Sequence, residues 1–170
     1  MGHIYIFRGI AGTGKTTLSN MLAGKLQIPV IRKDDIWDAL PDTENEIVNN
    51  PICYNILCSI VQTNLDLHTN FIVDVALGDK SNAKHFFQRL NFSNNKVTRF
   101  LLTCDNEGEW RERHLKRLKN PTANQNFTSF EHVQSHYKNI DSSPFEDEHI
   151  VDTSGTLEES FSKIHDVIGE

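Results

Sequence analysis

Gly9-Ile10-Ala11-Gly12-Thr13-Gly14-Lys15-Thr16 is a full GxxxxGK[ST] octapeptide, set between an apolar run, Ile4 to Phe7, and a segment of helical period. Its flanks carry as much weight as its letters. Glycines let such a loop curl until successive backbone N–H groups converge on oxygen anions, with the positive end of the following helix behind them. Leu18, Met21, Leu22 and Leu26 then fall on one stripe of that helix, as packing on a sheet requires. In a loop of this kind Lys15 reaches the β and γ phosphates of a nucleoside triphosphate and the Thr16 hydroxyl holds Mg²⁺. Gly9, Ala11, Gly12, Thr13, Gly14 and Thr17 complete the expected cradle.

Outward from the loop, short β-like runs alternate with helix-period segments, the pattern of βαβ units and a parallel sheet covered on both faces. The expected strands are His3 to Phe7, Pro29 to Arg32, Phe71 to Val73, Val97 to Thr103 and His149 to Val151. One helical stripe joins Cys53, Ile56, Leu57, Ile60 and Val61, with Asn50-Pro51 as cap and first turn. Others join Ala83, Phe86, Phe87 and Leu90, and Leu157, Phe161, Ile164 and Ile168. Asn120 to Phe127, with Pro, Asn and Thr between helical segments, reads as a loop.

With 170 residues and 38% hydrophobic content, residues 1–170 make one domain with one core. A net charge of −6 argues against a broad cationic face for duplex nucleic acid or anionic lipid. Cys53, Cys58 and Cys104 form no CxxC pair and read as reduced residues, and no segment approaches the ~20 apolar residues of a membrane span. A cytoplasmic protein is expected.

Three further features narrow the chemistry. The second strand runs into Asp34-Asp35, which places a carboxylate at the carboxyl edge of the sheet, where open α/β folds hold ligands. Asp34 is the expected general base, taking the proton of an acceptor hydroxyl, and one of the two aspartates is expected to cap a helix beginning near Ile36. The third strand closes on Asp74 and suggests a second metal ligand. Arg111, Arg113, Lys116, Arg117 and Lys119 crowd one helix, with Trp110, Leu115 and Leu118 as its inward side. Arg113 and Arg117, four apart, share a face and suit a lid over the triphosphate. His132 and His136 are also four apart, but no third ligand accompanies them.

Taken in order, the phosphate loop, Asp34-Asp35, Asp74, the RxxxR pair and Val151-Asp152-Thr153-Ser154 resemble the P-loop small-molecule kinases of the shikimate kinase, gluconate kinase, chloramphenicol phosphotransferase and polynucleotide kinase group. The resemblance implies a three-layer α/β/α P-loop NTPase sandwich with a five-stranded parallel sheet, nucleoside-monophosphate-kinase-like, and a helical lid at about 107–127. It also implies ATP and Mg²⁺ as cofactors, Lys15, Asp34, Arg113 and Arg117 as catalytic residues, and Thr153 and Ser154 against the adenine. A small-molecule hydroxyl is the expected acceptor. Polynucleotide kinases carry an arginine three residues after the aspartate where this chain has Trp37, so nucleic acid ranks second as acceptor. A nucleotide switch without an acceptor is the third reading. It is weakened because Thr103-Cys104-Asp105-Asn106 lacks a guanine-reading NKxD element.

Overall fold

The computed structural model describes residues 1–40, 46–121 and 127–169. Its elements run β1 (His3–Arg8), α1 (Lys15–Leu26), β2 (Val30–Arg32), α2 (Lys33–Asp38), α3 (Glu46–Asp66), β3 (Phe71–Val75), α4 (Lys80–Gln88), β4 (Lys96–Thr103), α5 (Glu107–Lys119), α6 (Phe130–Tyr137), β5 (Glu148–Asp152) and α7 (Leu157–Ile168). The five strands lie in the order β2-β3-β1-β4-β5 and every pairing is parallel. This is the expected α/β architecture, with all five strands where the sequence puts them to within two residues.

The two-residue period of a strand decides which layer each side chain joins. On β1, Ile4 and Ile6 enter a core with Phe71, Val73, Leu57, Val61, Ala83 and Phe86, so α3 and α4 cover that face. Tyr5 and Phe7 point the other way, to Leu18, Leu22, Ile72, Phe100, Val151 and Ile164, so α1 and α7 cover the opposite face. Each fully buried Ile, Leu or Phe contributes about 1.5–3 kcal/mol relative to exposure, which makes the central strand the anchor of both layers.

Four local expectations are corrected. The third helix starts at Glu46, so Pro51 sits inside it and Asn50 is no cap. Proline inside a helix gives up the hydrogen bond to the residue four back and crowds that residue's carbonyl, and the helix continues past it along the buried stripe that begins at Cys53. The buried stripe of α3 is Cys53, Leu57, Cys58, Val61 and Leu65, while Ile56 and Ile60 are exposed. The helix after β2 opens at Lys33, with Arg32 at its N-cap and no side-chain cap, so neither aspartate caps it; both lie in its first turn. On α5 the inward residue is His114, and Leu115 faces solvent. Of the expected lid and the loop at its end, residues 122–126 lie outside the described residues.

Candidate active site

At the carboxyl ends of the strands a cleft of about 1020 Å³ opens over the phosphate loop. The strand order switches sides at β1, with β3 and β2 on one side and β4 and β5 on the other, and open α/β sheets bind ligands at such a switch point. Gly12 and Gly14 adopt φ of 84° and 82°, a left-handed conformation that a Cβ would strain. A Cβ at Gly14 would meet nothing within 4 Å, so the loop presents open space where an anion would rest. Gly9 has another role: a Cβ there would come within 2.4 Å of the Leu102 carbonyl oxygen, so its glycine lets β1 and β4 close up beneath the loop. Thr13 is fully buried and its hydroxyl donates to Ile10 O, which leaves only its backbone for a ligand.

Lys15, the first residue of α1, is 9% exposed and donates from Nζ to Ile10 O at 2.7 Å. Burial pulls its pKa down, while the carboxylates of Asp74 and Asp34 push it back up. Both aspartates therefore stand within the field of the loop lysine. Asp74 is 5% exposed and burial raises its pKa, against the opposing pull of Lys15, a hydrogen bond from Thr16 and the charge of Arg32. Ser19 Oγ donates to Asp74 Oδ2 at 3.3 Å and Arg32 Nε lies 3.4 Å from the same oxygen. A carboxylate and a threonine hydroxyl side by side form an oxygen donor set of the kind Mg²⁺ takes, so the residues present fit the metal that the loop motif implies.

Asp34 and Asp35 separate cleanly. Both line the cleft, but Asp34 is half-buried in its wall, whereas Asp35 is exposed and pairs with Arg32 at 3.5 Å. Trp37 is 1% exposed, and Lys33 Nζ lies over its ring at 4.2 Å, so the ring face is covered by a cation rather than offered to a ligand. The same ammonium is 5.8 Å from the Tyr54 ring. Burial, and next the charge of Asp34, raise the Tyr54 pKa.

Helix α5 divides its two arginines. Arg113 reaches β5 and the loop after it, donating to Thr153 Oγ1 at 2.8 Å and Thr153 O at 2.5 Å, with Glu109 accepting at 2.6 Å. Thr153 N–H donates to Thr103 O, so both polar backbone groups of Thr153 are engaged within the protein. Gly155 lines the cleft beside Thr153, whereas Ser154 Oγ accepts from the Asn106 N–H. Arg117 lines the cleft one turn further along α5 and its charge bears on Lys15, Asp38 and Tyr137. Arg111, Lys116 and Lys119 are exposed. His132 and His136 flank the Phe127 ring at 5.3 and 5.2 Å, and no group of three His, Cys, Asp or Glu able to hold a metal occurs among the described residues.

Several cleft residues escape a reading of the chain. Trp110 Nε1 donates to Ala11 O at 2.8 Å, and its ring lies where a Cβ on Gly12 would touch it at 3.0 Å. The spacing 110, 113, 117 places it on the arginine face, a signal hidden by its apolar character. Arg32, Lys33, Tyr54, His114 and Tyr137 carry no local signal; only the fold brings them to the cleft. A second cavity of about 570 Å³ continues past Asn50, Tyr54, Ala76, His136 and Tyr137, walls that it shares with the first.

The sequence matches the AAA domain family over residues 4–139, well over half of the chain. The chain belongs to this family. Among solved structures it is similar to a Chloroflexus aurantiacus protein provisionally assigned as a kinase, with a TM-score of 0.76, 19% identity and coverage of 99% of this chain and 96% of that one. A sugar kinase from Janibacter sp. gives a TM-score of 0.69 at 14% identity over 99% and 95% of the two chains. The APS kinase of Mycobacterium tuberculosis in complex with AMPPNP and APS gives 0.66 at 14% over 99% and 98%. No curated protein matches the sequence. The fold of this AAA-domain chain is thus that of P-loop kinases, as the order of its motifs implies. No helix among its described residues is long and apolar enough to cross a membrane.

Proposed function

We propose that this chain is an ATP-dependent kinase that transfers the γ-phosphoryl group of Mg-ATP to a hydroxyl of a small molecule. The observation that carries the reading is the placement of two carboxylates within the field of the loop lysine, Asp34 on the cleft wall and Asp74 buried beside Thr16. One suits the metal, beside Thr16, and the other the acceptor. When bound, Mg-ATP supplies the phosphoryl group to be transferred. Lys15 and the amides of Gly12 to Thr17 hold the phosphates. Arg113 fixes the Thr153 segment at the base-binding end, and Arg117 faces the charge that develops during transfer. Asp34 accepts the acceptor hydroxyl's proton as the new O–P bond forms and the bond to the departing diphosphate breaks. The fold of the APS kinase crystallised with AMPPNP and APS agrees with this arrangement.

A small acceptor suits the cleft better than nucleic acid. Trp37 is buried under Lys33 where an arginine would be needed to grip a backbone phosphate, and the chain carries a charge of −6. Free Cys53 and Cys58, both buried, suit a reducing cytoplasm. Incubation with labelled ATP and either small alcohols or oligonucleotides tests the acceptor class. Label transferred to oligonucleotides alone would overturn it. Lys15→Ala abolishes transfer. Asp34→Asn leaves ATP affinity within about threefold, roughly 0.65 kcal/mol, while slowing transfer by about 10²–10⁴; normal transfer by this variant would show that the base is another residue.

A further inference from the structure

The peptide unit between Ile10 and Ala11 is gripped at both poles. Its carbonyl accepts from Lys15 Nζ at 2.7 Å and Thr13 Oγ1 at 2.9 Å, and its N–H donates to the Tyr137 hydroxyl at 3.3 Å. Tyr137 ends α6, 126 residues from Ala11 along the chain, and lines both cavities where they meet. A phenol oxygen that accepts an N–H still has its own proton to donate, and among the described residues no acceptor for that proton is in reach. Tyr137 stays protonated at neutral pH, because burial, with the charge of Asp34 adding to it, raises its pKa against the opposing pull of the Ala11 N–H and Arg117. An unused donor therefore stands at the border between the phosphate loop and the acceptor half, on the same peptide unit as the lysine that reaches the terminal phosphates.

We propose that Tyr137 reads the terminal phosphoryl group: its hydroxyl, held by the Ala11 N–H, donates to an oxygen of the γ-phosphate and so distinguishes a triphosphate from a diphosphate. The inference rests on the kinase reading and assigns this residue a donor-side role in it.

Calorimetric titration of the full chain with ATP and with ADP, each with Mg²⁺, tests the assignment. Tyr137→Phe keeps the ring against Phe127 and His136 and removes one oxygen. It weakens ATP about tenfold, equivalent to about 1.4 kcal/mol, and leaves ADP within about twofold. Equal weakening of both nucleotides would reduce Tyr137 to a support of the loop, and no weakening of either would make it a wall of the acceptor site; either result overturns the inference. Should the variant melt early, the thermal shifts given by ATP and ADP, each measured against its own unliganded state, read the same preference. Wild-type protein that binds neither nucleotide overturns the kinase reading too, whereas wild-type binding of both with an unchanged ratio in Tyr137→Phe overturns this inference alone.

Discussion

Among the described residues two ion pairs contain a carboxylate that is nearly or fully buried, and they are built to opposite ends. Arg8 and Glu148 have 0% and 1% of their side chains exposed, and every guanidinium nitrogen of Arg8 is engaged. Nε and Nη2 meet the carboxylate at 2.5 and 2.6 Å, while Nη1 and Nη2 also reach Leu77 O and Ser143 O at 3.0 Å. Glu148 further accepts from the Phe145 N–H at 2.9 Å. Arg32 and Asp74, at the carboxyl ends of β2 and β3, meet at 3.4 Å without a hydrogen bond at Nε. Among the described residues that nitrogen, Trp37 Nε1 and His114 Nε2 are buried polar atoms without a partner on residues that line the cleft, and Arg99 Nε and Thr103 Oγ1 are two more away from it. A saturated pair serves the fold. Unsaturated groups are what a ligand site keeps in reserve, because a buried polar atom without a partner costs free energy until something binds it.

The comparison breaks most visibly at Glu148. Glu148→Gln leaves Arg8 as an uncompensated buried charge and lowers the unfolding free energy by about 3–5 kcal/mol in denaturant titration, while replacing both partners, Arg8→Met with Glu148→Leu, restores most of the loss. A small effect of the single change would mean that the saturated pair is dispensable after all.

Asp74→Asn sharpens the other side. Arg32 keeps Asp35 and a hydrogen bond to Asn20, and 17% of its side chain is exposed, so the neutral residue changes unfolding free energy by about 1 kcal/mol or less. The strengthening of ATP binding by Mg²⁺ is lost in the same variant. A stability loss as large as that of Glu148→Gln would erase the distinction between the two pairs.

The smallest effect is in pH. Burial among Phe127 and Phe130 lowers the His114 pKa from its ordinary 6.5, with a hydrogen bond to Ser129 opposing. A base whose pKa is depressed on folding contributes stability fully above its unfolded value, and that contribution is lost as pH falls from about 6.5 through the lower folded value. The melting temperature therefore falls over that range, and less steeply in His114→Gln. Parallel pH profiles of the two proteins would remove His114 from the under-satisfied set.

Most of the fold was legible along the chain, because its signals are local. Five apolar runs and the glycine loop each act within about ten residues, and both layers of core follow from the alternation of Ile4, Tyr5, Ile6 and Phe7. Where a local rule competed with packing, packing won. Pro51 did not start its helix, and the exposed Ile56 and Ile60 show that apolar character alone does not assign a face when α3 is buried along Cys53, Leu57 and Val61. The candidate site was half legible. Lys15, Asp34 and Arg117 line one cleft, with Asp74 buried within the field of Lys15, but Trp110, read as part of the inward side of its helix, holds the phosphate loop.

What the residues determined by themselves was the strand–loop–helix phosphate cradle and the alternation of elements, since each depends on backbone geometry that neighbours in sequence impose. Only the tertiary structure decided that Asp35 pairs with Arg32 while Asp34 is half-buried in the cleft wall, that Arg113 is tied to Thr153 while Arg117 lines the cleft, and that Tyr137 meets the Ala11 N–H. Those choices depend on helices far apart in the chain packing against one sheet, and a periodicity of two or 3.6 residues carries no record of which distant partner a side chain will meet.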